Sequence, residues 1–218
     1  INVGANIQKG MAENEDIYFQ STEARNSDYN KIPEIVNDYM EKINSLAGTN
    51  YKPFNYYGDS KARNVIVAMG SVNETIKLVV EDLNKKGHRV GLVEVHLYRP
   101  FSKEYLINVL PKSVKNIAVL DRTKEAGSIG EPLYLDVLTA LKDTKINIVG
   151  GRFGLSGKNT TQADIKSVFI MLETKLKNSF TIGIDDDVTN LSLPKENYNI
   201  PFEGQELKIY GFGSDGMV

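Results

Sequence analysis

The stretch from Ile117 to Asp136 most strongly constrains the fold of this chain. Ile117–Leu120 is an apolar run without alternation, which is typical of a strand covered on both faces. A charged loop follows, and a helix is predicted to begin at Glu131-Pro132, because the missing N–H of proline costs nothing in a first helical turn. The pattern is therefore strand, loop, helix. Open α/β sheets place ligand or partner contacts at the carboxyl end of such strands.

The same rhythm occurs four times between residues 61 and 176. Apolar runs, each followed by a helical pattern, predict strands near 64–69, 90–96, 116–120 and 146–150. Two of the helices open with the spacing of a capping box, at Ser71–Glu74 and at Thr161–Asp164, and a short helix is predicted near Lys103–Leu110. Strands alternating with helices predict an α/β fold with a mostly parallel sheet and helices on both faces.

The flanks do not follow this rhythm. Residues 1–30 are polar without periodicity and are predicted to be loop, whereas Lys31–Leu46 has the apolar spacing of an amphipathic helix that Gly48 ends. Thr49–Arg63 is predicted to be a surface linker, since it contains Pro53, Gly58 and three tyrosines. Beyond Lys177, Phe180–Ile184 is predicted as a strand of a different unit, Ser192–Gly204 as loop, and Leu207–Tyr210 as one more short strand.

Composition excludes several functions. A net charge of −2 and a pI near 5.8 provide no basic patch for nucleic acid, and no apolar run reaches the length that spans a bilayer. We expect a cytoplasmic protein, since no signal peptide is recognisable. The chain contains no cysteine, so no disulfide or thiolate-held iron–sulfur cluster forms within it. It starts at Ile1 without an initiator methionine, and we expect a piece of a longer protein.

A glycine-rich loop, Gly151–Lys158, lies between a strand and a helix, as a phosphate-binding loop does. Its spacing fails, because Arg152 stands where GxxxxGK needs glycine and Asn159 replaces the metal-binding Ser or Thr. A structural loop is favoured. His88 and His96 have no further ligands at zinc spacing, so no metal site is predicted.

The charged loop after Ile117–Leu120 is the candidate interface. Five charged residues lie beside one predicted sheet edge without apolar neighbours to explain them: Asp121, Arg122, Lys124, Glu125 and Glu131. A charge cluster is usually a solvated face. Its position at a strand's carboxyl end gives a binding or interface role equal weight here.

A second candidate site is the turn Gly211–Gly216. It follows a predicted strand, and its glycines allow a backbone to approach a ligand closely or to adopt positive φ. The residues singled out are Gly211, Gly213 and Asp215. A plain strand-to-helix turn is the alternative and the favoured interpretation.

Several motifs together resemble the pyruvate:ferredoxin (flavodoxin) oxidoreductases. They occur in the same order as in that family and span essentially the whole chain: Asp16–Gln20, Met69–Ser71, His96–Phe101, Leu120–Glu125, Gly130–Asp136, Gly150–Leu155 and Ile184–Thr189. One departure is Ala126, which stands where the Lys-Glu-Pro-Gly pattern has proline.

The resemblance implies an internal fragment of a larger parent enzyme. Residues 1–60 resemble the end of its pyrimidine-binding domain, 61–176 a transketolase C-terminal-like α/β domain, and 177–218 the start of the coenzyme A-associated domain. The turn at Gly211, Gly213 and Asp215 would then contact coenzyme A. The parent would oxidatively decarboxylate pyruvate to acetyl-CoA, transfer electrons to ferredoxin or flavodoxin, and act as a homo-oligomer.

The resemblance implies thiamine diphosphate, magnesium and iron–sulfur clusters for the parent, but no cofactor for this piece. It lacks a GDG motif followed by an Asn-rich segment, and it lacks cysteine. No catalytic residue is assigned, and the piece is expected to be scaffold and inter-domain contact. Two alternatives stay open: a fragment of another 2-oxoacid:ferredoxin oxidoreductase, or a stand-alone α/β binding module.

Overall fold

The structure is a computed structural model that describes residues 12–185, 187–201, 204 and 207. Within these residues, six strands form one sheet in the order β1-β3-β2-β4-β5-β6, with β1 antiparallel to β3 and all other pairs parallel. Their bounds are Phe54–Gly58 (β1), Asn64–Ala68 (β2), Val90–Val95 (β3), Asn116–Asp121 (β4), Asn147–Arg152 (β5) and Phe180–Thr181 (β6). The predicted α/β fold with a mostly parallel sheet is confirmed.

In the described part of the chain, six α-helices accompany the sheet: Tyr18–Ala24 (α1), Asn26–Ala47 (α2), Val72–Lys85 (α3), Lys103–Val109 (α4), Pro132–Ala140 (α5) and Gln162–Glu173 (α6). Helices α3 and α6 pack on one face of the sheet, and α4 and α5 pack on the other. Each face therefore has its own apolar core, and the central strands are buried on both sides, which explains their lack of alternation.

Strand β4 lies in the interior of the sheet, as predicted. It is hydrogen-bonded to β2 on one side and β5 on the other, and Ile117 to Leu120 are almost fully buried. The Thr161 capping box is also confirmed: Asp164 N donates to Thr161 Oγ1 at 3.3 Å, and Thr161 N donates to Asp164 Oδ2 at 2.8 Å. These two bonds satisfy N–H groups that α6 leaves free at its start.

The prediction of a loop over residues 1–30 is wrong for the described part. Helix α1 covers Tyr18–Ala24, and α2 begins at Asn26 rather than near Lys31. Neither α1 nor the first turn of α2 buries a residue against the sheet, so the sequence there has no apolar period to reveal a helix.

The prediction of a linker over Thr49–Arg63 is also wrong. Phe54–Gly58 is the edge strand β1, whose register runs from Phe54 opposite Val95 to Gly58 opposite Gly91. Burial fades from Phe54, which is 1% exposed, towards the exposed Tyr57. A half-solvated edge strand rich in aromatic residues has neither a continuous apolar run nor clean alternation, and the sequence pattern misses it.

The strand expected in a different unit near Phe180–Ile184 belongs to the same sheet. Phe180 and Thr181 pair with Gly151 and Arg152 of β5, and Phe180 is fully buried. The sheet therefore extends beyond the limits 61–176 on both sides, through β1 and β6. The predicted short strand at Leu207–Tyr210 lies, apart from Leu207, outside the described residues.

The capping box predicted at Ser71–Glu74 does not form. Gly70 turns the chain with φ of +80°, so Ser71 is already helical, with φ −64° and ψ −21°, and its side chain makes no capping bond. A capping residue needs an extended backbone to reach the following N–H groups. Glu74 instead pairs with Lys77 at 3.1 Å.

The order of the strands in the sheet predicts where a ligand-binding crevice would lie. The connection from β2 through α3 places β3 on one side of β2, and the connection through α4 places β4 on the other side. The direction of winding reverses between β2 and β4, and ligands of open α/β sheets bind outside the carboxyl ends of strands at such a point. Within the described residues, no helix is long and apolar enough to cross a membrane.

Candidate functional site

Asp121, the last residue of β4, fixes the start of helix α5. Its carboxylate accepts hydrogen bonds from Leu133 N and Tyr134 N, both at 3.0 Å, and the residue is 3% exposed. Pro132 at the first helical position has no N–H, so these two bonds satisfy the next two donors of the helix end. Asp121 therefore acts as a helix cap supplied from a neighbouring strand, rather than as a free charge at the edge.

The environment of Asp121 disfavours its ionised form. Burial raises the pKa of Asp121 above its usual value, and the nearby carboxylates of Glu131 and Asp136 raise this pKa further. The two backbone N–H groups lower the pKa but do not compensate. The N–H groups at the start of α5 thus stabilise the ionised carboxylate of Asp121, but removing this carboxylate from water costs free energy.

Glu131 forms a buried ion pair with Arg152. Nε of Arg152 lies 2.6 Å from Oε1 of Glu131, and Nη1 of Arg152 donates to the carbonyl of Ser179 at 3.0 Å. The pair joins the start of α5 to the end of β5 and to the segment that leads into β6. Arg152, which the glycine-rich loop hypothesis treated as an interruption, is therefore a structural residue.

The middle of the charged loop is exposed. Arg122 donates through Nε to the carbonyl of Gly154 at 3.0 Å, while Lys124 and Glu125 extend into solvent. Ile129 is 90% exposed, at the end of the same loop. The five charged residues predicted as one interface therefore divide into a structural pair, Asp121 and Glu131, and an exposed set.

A second polar cluster at this edge was not singled out from the sequence. Arg99, after β3, lies with its guanidinium carbon 4.0 Å from the centre of the Tyr98 ring and with Nη2 2.7 Å from Oδ2 of Asp136 on α5. Burial raises the pKa of Tyr98, which the positive charge of Arg99 opposes. The signal was present in the sequence as an Arg-Pro pair four residues after the end of a strand, but the partner of Arg99 on α5 is 37 residues away.

The glycines of β5 pack against aromatic rings. A Cβ on Gly150 would lie 2.8 Å from the ring of Tyr134, and one on Gly151 would overlap the ring of Phe180. The rings of Tyr134 and Phe180 thus leave no room for a side chain at these two positions. This favours the structural interpretation of Gly151–Lys158 over a phosphate-binding loop.

The described residues offer no recognisable metal or cluster site. No group of three or more His, Asp or Glu side chains among them is arranged to hold a metal ion. A cavity of about 630 Å³ lies near the end of β6, lined in part by Lys158, Asp164 and Asp185. Asp164 there is engaged in the capping box. The coenzyme A candidates Gly211, Gly213 and Asp215 lie outside the described residues and stay a prediction.

The strand order is that of a flavodoxin-like α/β domain, and comparison with known proteins shows which proteins the chain is similar to. Residues 62–165 match the family model described as pyruvate:ferredoxin oxidoreductase core domain II. The chain is 49% identical over 218 residues to a pyruvate-flavodoxin oxidoreductase from Enterobacter agglomerans, covering 97% of this chain and 19% of that protein. It is 51% identical over 216 residues to a pyruvate:ferredoxin oxidoreductase from Moorella thermoacetica, covering 97% and 18%.

The predicted resemblance to the pyruvate:ferredoxin (flavodoxin) oxidoreductases is confirmed by these matches. The chain spans about a fifth of the length of the curated relatives, 19% of the Enterobacter agglomerans protein. A solved split-gene transketolase aligns at a TM-score of 0.40 and 16% identity, over 57% of this chain and 39% of that one. The transketolase C-terminal-like assignment of residues 61–176 stays a prediction.

Proposed function

We propose that this chain is a non-catalytic part of a parent enzyme that oxidatively decarboxylates pyruvate. The parent would convert pyruvate and coenzyme A to acetyl-CoA and carbon dioxide, with two electrons passing to ferredoxin or flavodoxin. The observation that supports this most is the identity of 49% to a pyruvate-flavodoxin oxidoreductase across 97% of the chain. Within the parent, the chain would serve as scaffold and inter-domain contact.

The residues at the carboxyl edge favour a scaffold over a catalytic role. Asp121 accepts hydrogen bonds from N–H groups of α5, Glu131 is paired with Arg152, and Asp136 lies within ion-pair distance of Arg99, so each of these carboxylates already has a partner inside the chain. The donor set does not fit an iron–sulfur cluster, since the sequence lacks cysteine. Thiamine diphosphate, magnesium and the clusters would therefore be held elsewhere in the parent.

The exposed loop from Arg122 to Ile129 is the proposed contact with another part of the parent. It presents two cationic side chains, Arg122 and Lys124, one carboxylate, Glu125, and the almost fully exposed Ile129. An exposed apolar side chain on the same loop as charged side chains fits a small protein–protein contact with a polar rim. The loop lies at the reversal of the sheet, where α/β domains meet ligands or partners.

Charge reversal in the parent enzyme tests this contact. The double substitution Arg122→Glu with Lys124→Glu should reduce pyruvate-dependent dye reduction by about tenfold, because like charges at an interface oppose docking. The double substitution Lys142→Glu with Lys145→Glu, at exposed positions just beyond α5, changes the charge by the same amount; it is the matched control and should leave the activity unchanged. Wild-type activity in the double variant would exclude the loop as a functional contact.

A complementary experiment tests whether the chain by itself catalyses pyruvate-dependent dye reduction. The purified chain with thiamine diphosphate, magnesium, pyruvate, coenzyme A and a viologen dye should give no colour, because cofactor chemistry requires residues that bind the cofactor. Colour that scales with the concentration of the chain would contradict the scaffold role.

Coenzyme A contact remains a sequence-based part of the proposal. Gly211, Gly213 and Asp215 would line the floor of that site in the parent, since a following helix would direct its N–H groups at an anion held by the turn. Asp215→Ala in the parent should raise the KM for coenzyme A and leave pyruvate-dependent cofactor reduction intact. An unchanged KM would remove the turn from the site.

The two alternatives make different predictions for the parent. A fragment of another 2-oxoacid:ferredoxin oxidoreductase predicts that a different 2-oxoacid has the highest kcat/KM in the dye assay. A stand-alone α/β binding module predicts a gene that encodes this chain alone. The cytoplasmic location and the homo-oligomeric state of the parent, without nucleic-acid or membrane partners, belong to the same proposal.

A further inference from the structure

Helix α2 has an exposed apolar stripe along one side. Four large side chains recur at intervals of four, four and three residues, which places them on one face of the helix: Ile35 (49% exposed), Tyr39 (60%), Ile43 (51%) and Leu46 (90%). We call these four residues the α2 stripe. Scattered exposed hydrophobic residues are ordinary on a protein surface, but a continuous row on one face marks an interaction surface.

The stripe is not the face that α2 uses to contact the rest of the chain. Pro33 is buried, and Val36, Met40 and Asn44 are partly buried on a different side of the helix. Asn44 accepts from Tyr51 N at 2.7 Å and donates to Tyr51 O at 2.8 Å, so the end of α2 is fixed to the segment before β1. One side of α2 therefore packs against its own chain, and the α2 stripe is a second apolar side that is exposed.

The charges around α2 are arranged unevenly. Glu34, Asp38 and Glu41 form an acidic row of exposed side chains. Burial raises the pKa of Tyr105 on α4, and the charges of these three residues raise it further, so the row lies on the side of α2 near α4. On the stripe, Lys42 Nζ lies 4.6 Å from the centre of the Tyr39 ring. A surface that covers the stripe would therefore be apolar at its centre and acidic opposite Lys42.

We infer that the α2 stripe docks onto an apolar surface of another region of the same parent chain. The curated relatives match 97% of this chain, α2 included, and are about five times as long, since the chain spans 19% of the Enterobacter agglomerans protein. The remainder of such a chain is present at a high effective concentration, which favours it over a second copy. The inference rests on the proposed function only for the length of the parent.

Hydroxyl-radical footprinting of the full-length parent tests the inference without mutation. Modification of Tyr39 and Leu46 is compared between the native parent and the parent unfolded in urea. An exposed Tyr39 would be modified within about twofold of the unfolded rate, whereas a docked stripe should slow it by about tenfold or more. Equal rates would overturn the inference. Protection that vanishes on dilution to single chains would assign the stripe to a second copy and also overturn it.

A matched pair of variants in the parent gives an independent readout. Ile43→Lys introduces a charge into the stripe and should raise the rate of limited proteolysis within residues 12–53 by about tenfold, because docking is lost. Ser45→Lys introduces the same charge at an exposed position outside the stripe and should leave that rate unchanged. Equal rates in both variants would overturn the inference. Neither readout uses pyruvate, so an inactive parent would contradict the proposed function alone.

Discussion

Arg152 and Glu131 form an ion pair that is almost completely removed from solvent, with Nε 2.6 Å from Oε1 and side-chain exposures of 9% and 3%. The pair spans from the last residue of β5 to the residue that precedes α5. The charges of Arg152 and Glu131 therefore stabilise the carboxyl edge of the sheet and are not available to a partner. At this edge, the start of α5 and the end of β5 are therefore held together by contacts within the chain itself.

Removing one member of this pair should destabilise the chain strongly. Glu131→Ala should lower the free energy of unfolding by about 3 kcal/mol, because Arg152 would remain buried without a counter-charge. Denaturant unfolding of the purified chain measures the change.

The double variant Glu131→Leu with Arg152→Met is the informative control. It removes both charges and fills similar volume, so it should be more stable than Glu131→Ala alone. If the double variant were less stable than Glu131→Ala, the ion pair itself would stabilise the fold, and the loss in Glu131→Ala would not come only from leaving Arg152 unpaired.

The cap supplied by Asp121 should be detectable by substitution. Asp121→Ala leaves the N–H groups of Leu133 and Tyr134 buried without acceptors and should cost about 2–3 kcal/mol. Asp121→Asn keeps one acceptor oxygen and should cost less. Hydrogen exchange of the first turn of α5 should increase in the Ala variant, and equal exchange in both variants would argue against capping.

The raised pKa of Asp121 predicts a pH dependence with a definite sign. The unfolded chain releases this proton near the ordinary value of 3.8, whereas the folded chain retains it to higher pH because of burial. Stability contributed by this group is therefore present in full below the unfolded pKa and is lost as pH rises through the folded one. Relative to Asp121→Asn, the wild type should lose unfolding free energy as pH rises above about 4. A difference that does not change with pH would refute the shift.

The segment after β6 is fixed to the helices by Tyr198. Its hydroxyl donates to Oδ2 of Asp82 on α3, and Nζ of Lys166 on α6 lies 4.4 Å from the centre of its ring. Tyr198→Phe should lower the unfolding free energy by about 1 kcal/mol through loss of one hydrogen bond. Tyr39→Phe, at an exposed position, is the matched control and should change it by less than about 0.5 kcal/mol.

The same substitution should alter the titration of Asp82. The pKa of Asp82 is lowered, first by Lys86 and then by the Tyr198 hydroxyl, so this carboxylate contributes stability above its unfolded pKa that is lost as pH falls. Without the hydroxyl, the pKa should move up towards its ordinary value. Carbon-detected NMR titration of Asp82 measures the shift, and an unchanged pKa would show that Tyr198 does not act on it.

The buried parts of the fold could be predicted from the sequence because both faces of each central strand are apolar. Strands β2, β3, β4 and β5, the cap at Thr161 and the start of α5 at Pro132 all lie where local patterns place them. Such signals are local: an apolar run, a helical period, or a capping pair three residues apart.

The elements that could not be predicted depend on partners distant in the sequence. Strand β1 is defined by pairing with β3, and the two-residue β6 by pairing with β5. The charged residues at the site illustrate the same limit. The sequence shows where these residues lie along the chain. Only tertiary packing determines that Asp121 accepts hydrogen bonds from α5 while Lys124 remains in solvent.

The packing of Gly151 against Phe180 gives a final prediction. A Cβ at Gly151 would overlap the fully buried Phe180 ring, so Gly151→Ala should destabilise the chain by about 2 kcal/mol through overpacking. Phe180→Leu alone should cost about 1–2 kcal/mol, since it leaves a partly filled space. The double variant should cost less than the sum of the two, because the smaller side chain makes room for the added methyl group. Additive losses in the unfolding free energies would mean that the strain at Gly151 arises from another neighbour.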